Sequence, residues 1–210
     1  MSPRKVIQTI QSLSKVTGPG PAPAYTEVHV CRTLLIIGDA GPIGRIELSR
    51  KLGLGEGVAR TIIRHMLKAK VLTTVTEGCI LTPNGSALYR SLRAKLSGAH
   101  PINARQLALD RASVAVLVKG GAKLVKRGVE QRDAAVRAGA KGACTLIFRN
   151  GKLFMPMGQE EEWALGSNEE LFQEINQLFT PEEDDVVTIA SAPNHQVAEH
   201  CAIAAALTLV

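Results

Sequence analysis

A glycine-rich turn at residues 53–57 constrains the N-terminal half of this 210-residue chain more than any other feature. It separates two segments, 45–52 and 58–70, in which apolar residues recur at the three- and four-residue spacing of amphipathic helices. The first segment carries Ile46, Leu48 and Leu52 as its apolar residues. Two helices joined by so tight a turn predict a helix-turn-helix.

Elements on either side of this pair complete a larger pattern. A helix is predicted at 26–38, with Thr26 as its N-cap. Two β-prone segments, 71–76 and 79–82, follow the second helix, and Glu77-Gly78 between them is a typical two-residue hairpin loop. This order predicts a winged helix-turn-helix domain, in which the hairpin is the wing and a further helix from Pro83 to about Leu96 closes the domain.

The segment 58–70 has the surface expected of a recognition helix. Its apolar side chains Ala59, Ile63, Met66 and Leu67 are predicted to face inward, which places its polar and basic side chains outward. Arginines on such a face can donate to guanine in the major groove, whereas basic residues on the preceding helix and the helix N-terminus suit phosphates. The predicted DNA-binding residues are Arg45, Arg50, Lys51, Gly57, Arg60, Thr61, Arg64 and Lys68.

The distribution of charge favours the same function. Residues 1–100 contain 14 Lys and Arg against 5 Asp and Glu, whereas residues 101–210 contain 11 against 14. A basic half joined to an acidic half indicates that the basic half meets a polyanion, and double-stranded DNA is the expected partner. Aromatic residues make up only 3% of the chain, which disfavours general single-strand binding through aromatic stacking.

The N-terminus predicts an amphipathic helix that a stiff linker separates from the rest. Val6, Ile7, Ile10 and Leu13 share one face of it, and the Gly-Pro alternation at 18–23 ends it. An apolar stripe must be covered either by a partner subunit or by the body of its own chain. Because helix-turn-helix proteins usually read paired half-sites, we expect a homodimer, with this stripe at its interface.

The second half predicts an α/β sandwich in the order β-α-β-β-α-β-α, which makes the whole chain α+β. The predicted domains are 1–25 (helix and linker), 26–98 (winged helix) and 99–210 (a ligand-binding or dimerisation domain). Gly98–Pro101 marks the boundary before the last of these. The predicted elements are a strand at 113–118, a helix at 121–138, a hairpin at 143–155 turning at Asn150-Gly151, a helix at 169–179, a strand at 186–190 and a helix at 195–207.

Two features of this second domain suggest a small anionic effector. Turns after the strands at 113–118 and 186–190 would form a shared anion-binding crevice if those strand ends were adjacent. A continuous helix over 121–138 would place Arg132 among apolar residues, where a guanidinium needs either a carboxylate, with Glu199 favoured, or a ligand. The predicted ligand-binding residues are Lys119, Gly120, Gly121, Arg132, Ser191 and Asn194.

Three stretches resemble a family of uncharacterised archaeal winged-helix proteins: GPGPAPAYTEVHV at 18–30, GRIELSRKLGLGEGVARTIIRHMLKAKVL at 44–72 and GVEQRDAAVRAGAKGACTL at 128–146. The resemblance covers most of the chain and implies a winged helix followed by a C-terminal domain of unknown function. The turn at 53–57 also resembles that of bacterial sugar-responsive repressors, but the likeness ends after the wing and implies no sugar site.

The leading interpretation is therefore a sequence-specific DNA-binding transcription regulator. Two alternatives stay open: a nucleotide- or phosphate-dependent enzyme with an accessory winged helix, and a scaffold whose winged helix binds protein. No catalytic set, metal site or cofactor can be nominated from the residues, and the four cysteines are too far apart for a Cys-x-x-Cys motif. The chain lacks an evident signal peptide or membrane-spanning run, so we expect a cytoplasmic protein.

Overall fold

The computed structural model describes residues 3–15, 23–104, 107, 110–156, 162–164 and 169–210. The chain forms two compact units, Met1–Arg93 and Ala94–Val210. It is of the α+β class, as predicted, with two antiparallel sheets. The predicted Gly-Pro linker at 18–23 lies outside the described residues, apart from its last position.

The first unit is helical, with one small hairpin. Its elements are α1 (Pro3–Ser14), α2 (Glu27–Ala40), α3 (Arg45–Leu52), α4 (Glu56–Lys68), β1 (Leu72–Val75), β2 (Gly78–Leu81) and α5 (Pro83–Arg93). Thr26 is the N-cap of α2, as predicted, and its backbone N–H donates to Nδ1 of His29 at 3.1 Å. α3 ends at Gly53, whose left-handed backbone (φ 72°) turns the chain sharply toward α4.

The hairpin is confirmed, but its loop is shifted by one residue. Thr76 and Glu77 form the turn, and Gly78 is the first residue of β2, opposite Val75. Gly78 has a φ of 141°, and a Cβ there would lie 2.4 Å from the carbonyl oxygen of Ile43. Glycine is required because Ile43, just before α3, forms an antiparallel bridge with Cys79. This bridge ties the hairpin to the start of α3.

The apolar stripe of α1 is covered by its own unit. Val6 and Ile10 are at most 1% exposed and Leu13 is 7% exposed, while Ile7 is half-buried. α1 packs on α2, α4 and α5. The prediction that this stripe forms a dimer interface is therefore wrong. The sequence allowed the stripe to be covered either by a partner subunit or by the body of its own chain, and the structure shows the second.

The second unit is a six-stranded antiparallel sheet with helices on both faces. Its strands are β3 (Leu96–Pro101), β4 (Ala112–Val118), β5 (Gly142–Arg149), β6 (Lys152–Pro156), β7 (Glu162–Ala164) and β8 (Val186–Ala192), in the spatial order β3-β4-β8-β5-β6-β7. Its helices are α6 (Val129–Arg137), α7 (Glu169–Phe179) and α8 (His195–Leu207). α7 packs through Leu171 and Ile175 on one face of the sheet, and α8 packs with α6 on the other.

The sequence placed α7 and α8 at their observed bounds, but two other predictions for this unit are wrong. The helix predicted from Pro83 to about Leu96 ends at Arg93, and the predicted boundary at Gly98–Pro101 lies within β3, whose backbone pairs with β4. The continuous helix over 121–138 is instead a short 3₁₀ turn at Ala122–Leu124 followed by α6. Gly128, with a φ of 74°, breaks the helix between them.

Candidate nucleic-acid interface

α4 separates an apolar face from a basic one. Ala59, Ile62 and Met66 are fully buried and hold the helix against the unit. Arg60, Arg64 and Lys68, spaced by four residues, are exposed on the opposite side. Of the predicted inward residues, Ile63 is buried and Leu67 is half-buried, whereas the prediction omitted Ile62. The helix therefore presents a row of three cations to solvent.

The remaining residues predicted for DNA contact lie on α3 or at the start of α4. Arg45, Arg50, Lys51 and Gly57 are exposed, and half-buried Thr61 donates its hydroxyl to the Gly57 carbonyl oxygen at 3.0 Å. Arg45 pairs with Glu56 at 3.5 Å, and Lys51 with Glu47 at 3.8 Å. All four of these side chains are 41–52% exposed. Such surface pairs contribute about 0–1 kcal/mol, so phosphates can replace these carboxylates at low cost.

An exposed apolar side chain lies among these cations. Ile46 is 65% exposed, although its place in the apolar pattern of α3 predicted burial. It borders a shallow groove together with Gly44, Arg45, Glu47 and Arg50. The side chain points away from the core because Leu48 and Leu52 already supply the buried face of this short helix.

A buried arginine fixes the turn between α3 and α4. Arg32, on α2, is 2% exposed. Its Nη2 donates to the carbonyl oxygen of Lys51 at 3.0 Å and its Nη1 donates to that of Leu52 at 3.2 Å. These carbonyls belong to the last turn of α3, which has no intrahelical donors left, and a cation is favoured there by the helix dipole. The sequence analysis missed this residue, although a lone charge amid the apolar run of α2 was a usable signal.

Tyr25 ties α4 to the chain preceding α2. Its side chain is 3% exposed, and its hydroxyl lies 2.5 Å from Nδ1 of His65 on α4 and 3.4 Å from the Leu13 carbonyl oxygen. Burial, followed by the charges of Arg64 and Lys68, lowers the pKa of His65. Neutral His65 therefore accepts or donates within this contact, and protonation of the ring is disfavoured.

The hairpin contributes little charge to this surface. Neither β1 nor β2 nor the turn between them contains Lys or Arg, and Thr73, Thr74 and Val75 are exposed. A hairpin of this composition has no cation to place in a minor groove. The positive surface of the described first unit is concentrated on α3 and α4 instead.

The shared anion-binding crevice predicted in the second unit does not exist. β4 and β8 are antiparallel neighbours, with Val118 opposite Val186 and Ala112 opposite Ala192, so the turns that follow them lie at opposite edges of the sheet. Parallel strands would have been needed to bring both turns together.

The polar groups at these two turns already have partners within the chain. The Gly120 N–H donates to Oδ1 of Asp185 at 2.8 Å, next to exposed Lys119 and buried Gly121. The buried hydroxyl of Ser191 lies 3.0 Å from that of Ser113. Asn194 caps α8 by accepting from the Val197 N–H at 3.0 Å. These contacts stabilise the fold.

Arg132 is exposed, so the prediction that it is buried and paired with Glu199 is wrong. Its side chain is 54% exposed and its Nη2 donates to Oδ1 of Asp133 at 3.0 Å. Glu199, on α8, is half-buried. The error arises because Val129 and Val136, which share the face of Arg132, are themselves 40% and 46% exposed, whereas α6 is buried through Gln131 and Ala135. The burial from which the sequence analysis inferred a ligand role for Arg132 is therefore absent.

Other chemistry has little support among the described residues. No group of three or more His, Cys, Asp or Glu side chains there could hold a metal ion. The four cysteines are free, and Cys31, Cys79 and Cys201 are buried. No helix in the described part of the chain has both the length and the apolar character needed to cross a bilayer.

Comparisons with known proteins find similarity to a domain of unknown function and to an archaeal hypothetical protein. Residues 109–209 match the family model described as Domain of unknown function (DUF4443). Among solved structures, the hypothetical protein PH0730 from Pyrococcus horikoshii OT3 is similar over 88% of this chain and 92% of its own, with 24% identity and a TM-score of 0.70. At that identity the match shows a common fold and carries no activity. No curated protein matches the chain.

Proposed function

We propose that the chain is a sequence-specific DNA-binding transcription regulator whose first unit is a winged helix. The observation that carries this proposal is the exposed row of Arg60, Arg64 and Lys68 along α4, opposite a fully buried face. A helix about 10–12 Å wide fits the major groove, where arginine side chains can form paired hydrogen bonds to guanine. α4 is the recognition helix in this proposal.

The order of elements in the first unit supports the winged-helix assignment. α2, the bridging residue Ile43, α3, α4 and the β1–β2 hairpin follow one another as in a winged helix-turn-helix. Arg32 holds the end of α3, so the angle between α3 and α4 is set by a buried contact instead of by the turn alone. A recognition helix held in this way is preorganised, which lowers the entropy lost on binding.

The groups around α4 divide into two roles. Arg60 and Arg64, in the middle of the helix, are placed to read bases. Arg45, Arg50 and Lys51 on α3, with Gly57 and Thr61 near the start of α4, are placed to contact phosphates and set the register. Ile46 lies between two of these cations and would be covered by the sugar-phosphate backbone or a thymine methyl group, which accounts for its exposure.

We propose further that the chain acts as a homodimer and that the second unit binds a small anionic effector. Paired recognition helices read two half-sites about one helical turn apart, and a single short helix reads only a few base pairs. The second unit contains most of the acidic residues of the chain and matches a domain of unknown function. Because the DNA-contacting residues of this proposal all lie in the first unit, we assign ligand binding or dimerisation to the second.

A salt titration of DNA binding tests the proposal against a protein-binding scaffold. Fluorescence anisotropy of the full chain with a mixed-sequence duplex should show affinity that falls steeply as salt rises, because each neutralised phosphate releases condensed counterions. Arg90, exposed on α5, provides the matched control. Arg50→Ala, at a proposed phosphate contact, should reduce the slope of log affinity against log salt by about one, whereas Arg90→Ala should leave it unchanged. Binding that is absent at low salt would contradict the proposal and favour the scaffold.

A further inference from the structure

The second unit contains a pocket that the sequence analysis did not identify. Its volume is about 280 Å³, and it lies at the N-terminal end of α6, beside the β5 strand. Arg127, Gly128 and Arg132 border it on the helix side, and Thr145 and Met155 border it on the sheet side. The two arginines are exposed at its rim, and none of the described lining residues is acidic.

The N-terminus of α6 supplies one half of an anion site. Gly128 is its N-cap and α6 has nine residues, so the first backbone N–H groups of a full helix are without intrahelical acceptors. Partial positive charge at this end favours a bound anion. Gly128 brings the helix start close to the sheet: a Cβ there would lie 3.3 Å from Pro156 and 3.4 Å from Thr145.

The independent observation is the hydroxyl of Thr145 in the wall of the pocket. Thr145 is 4% exposed, and its Oγ1 has no hydrogen-bond partner in the structure. Leaving a buried hydroxyl unpaired is costly, so such a group needs an explanation. Oγ1 lies 3.5 Å from the position that a Cβ on Gly128 would take, which directs it toward the start of α6.

The cations at the rim are available to a ligand. Among the described residues Arg127 has no ion-pair partner, and the partner of Arg132 is the adjacent Asp133, 47% exposed and therefore weakly held. A ligand competes with Asp133 for the guanidinium and gains two further donors. The Cys144 thiol, also in the lining, stays protonated and neutral because burial raises its pKa to about 12.

From this arrangement we infer that the pocket binds the carboxylate or phosphate group of a small metabolite, held by Arg132, Arg127, the Thr145 hydroxyl and the first N–H groups of α6. Met155, Pro156 and Val129 give the pocket an apolar wall for the body of the ligand. Its volume lies just below the usual range for ligand sites, so the proposed ligand is small. An effect of this ligand on DNA binding rests on the proposed function, whereas its binding does not.

Amide chemical-shift titration of the full chain without DNA tests the site directly. The probes are inorganic phosphate and butyrate, each added at an ionic strength held constant with chloride. Saturable shifts of the Val129, Glu130 and Gln131 amides are expected with at least one probe, and the probe that binds tells phosphate from carboxylate recognition. Because DNA is absent from this titration, its failure would leave the DNA-binding proposal standing. Failure of the DNA-binding experiment would likewise leave the anion site standing.

Three variants distinguish a built site from general anion attraction. Arg132→Gln should weaken binding by about tenfold, since it removes a charge-assisted hydrogen bond, whereas Arg137→Gln in the last turn of the same helix should not. Thr145→Val should weaken binding severalfold and leave the unfolding midpoint in chloride unchanged or raised, because the hydroxyl it removes is unpaired. The inference would be overturned if the Arg132→Gln and Arg137→Gln variants bound the probe with the same affinity. It would also be overturned if neither probe caused a saturable shift in the wild-type chain.

Discussion

Nη2 of Arg32 donates to the carbonyl oxygen of Lys51 at 3.0 Å, and this contact joins the core of the first unit to its basic surface. The arginine is buried on α2, while Lys51 is exposed in the last turn of α3. This side chain therefore secures the end of α3, together with the left-handed turn at Gly53.

Replacing this arginine with an apolar residue of similar length should destabilise the first unit. Arg32→Met leaves the carbonyls of Lys51 and Leu52 without their donor, and each buried acceptor left unpaired costs about 1–3 kcal/mol. Urea unfolding should show the loss, while Arg90→Met, at an exposed position, should change stability by less than about 0.5 kcal/mol. Equal midpoints for the two variants would show that the guanidinium does not secure α3.

The covered stripe of α1 makes a prediction about both stability and assembly. Ile10→Ala should cost about 2–5 kcal/mol, because Ile10 is 1% exposed and its removal leaves a cavity against the unit. The exposed neighbour Gln11 provides the control, and Gln11→Ala should be nearly neutral. Light scattering should give the same mass for both folded variants. A change from dimer to monomer caused only by Ile10→Ala would place this stripe at a subunit interface after all.

Acid should weaken the start of α2 through His29. Burial, followed by the charge of Arg32, lowers the pKa of His29 to about 4, whereas histidine in an unfolded chain titrates near 6.5. The contribution to stability is therefore complete above pH 6.5 and is lost as pH falls toward 4. Protonated Nδ1 cannot accept the Thr26 N–H, so this cap is lost as well.

His29→Gln separates this titration from the cap itself. Glutamine at the third helical position keeps an acceptor for the N-cap N–H but does not titrate. Between pH 7.5 and pH 5 the wild-type chain should lose about 1 kcal/mol more than the variant in urea unfolding, a figure that allows for the partial exposure of the ring. Identical pH dependence in the two proteins would show that His29 does not titrate on unfolding.

A methyl group at Gly78 should disturb the hairpin. Gly78→Ala places a Cβ 2.4 Å from the Ile43 carbonyl oxygen at a φ of 141°, and neither backbone segment can move without breaking the bridge. We expect a loss of about 1–3 kcal/mol, the usual cost of such a strained position. Gly44→Ala is the control, since nothing lies within 4 Å of a Cβ there. Equal stability of the two variants would contradict the close approach of Ile43.

Local signals predicted much of this architecture. The cap at Thr26, the turn at Gly53 and the Asn150-Gly151 hairpin each depend on the chemistry of neighbouring residues, and the structure has them at the predicted places. The bounds of α7 and α8 also follow from local apolar spacing.

The features that sequence analysis missed depend on distant partners or on a single backbone angle. The antiparallel pairing of β4 with β8 joins strands separated by about seventy residues, and no local pattern specifies its direction. The break at Gly128 starts α6 beside the pocket with Thr145, and α6 is buried through Gln131 and Ala135 while the face that carries Arg132 stays exposed. Arg32 finds its acceptors about twenty residues away, so only the packed structure reveals its role.

The most direct test of the central claim is selection of bound sequences from a random duplex library, followed by affinity measurement on the selected site. Wild-type protein should enrich a defined motif, and the Arg60→Ala/Arg64→Ala double variant should bind that motif more weakly by about 1–3 kcal/mol for each lost base contact and relax the preference at those positions. Arg90→Ala should retain both the motif and the affinity. If the double variant enriches the same motif with unchanged affinity, α4 does not read DNA and the proposed function is wrong.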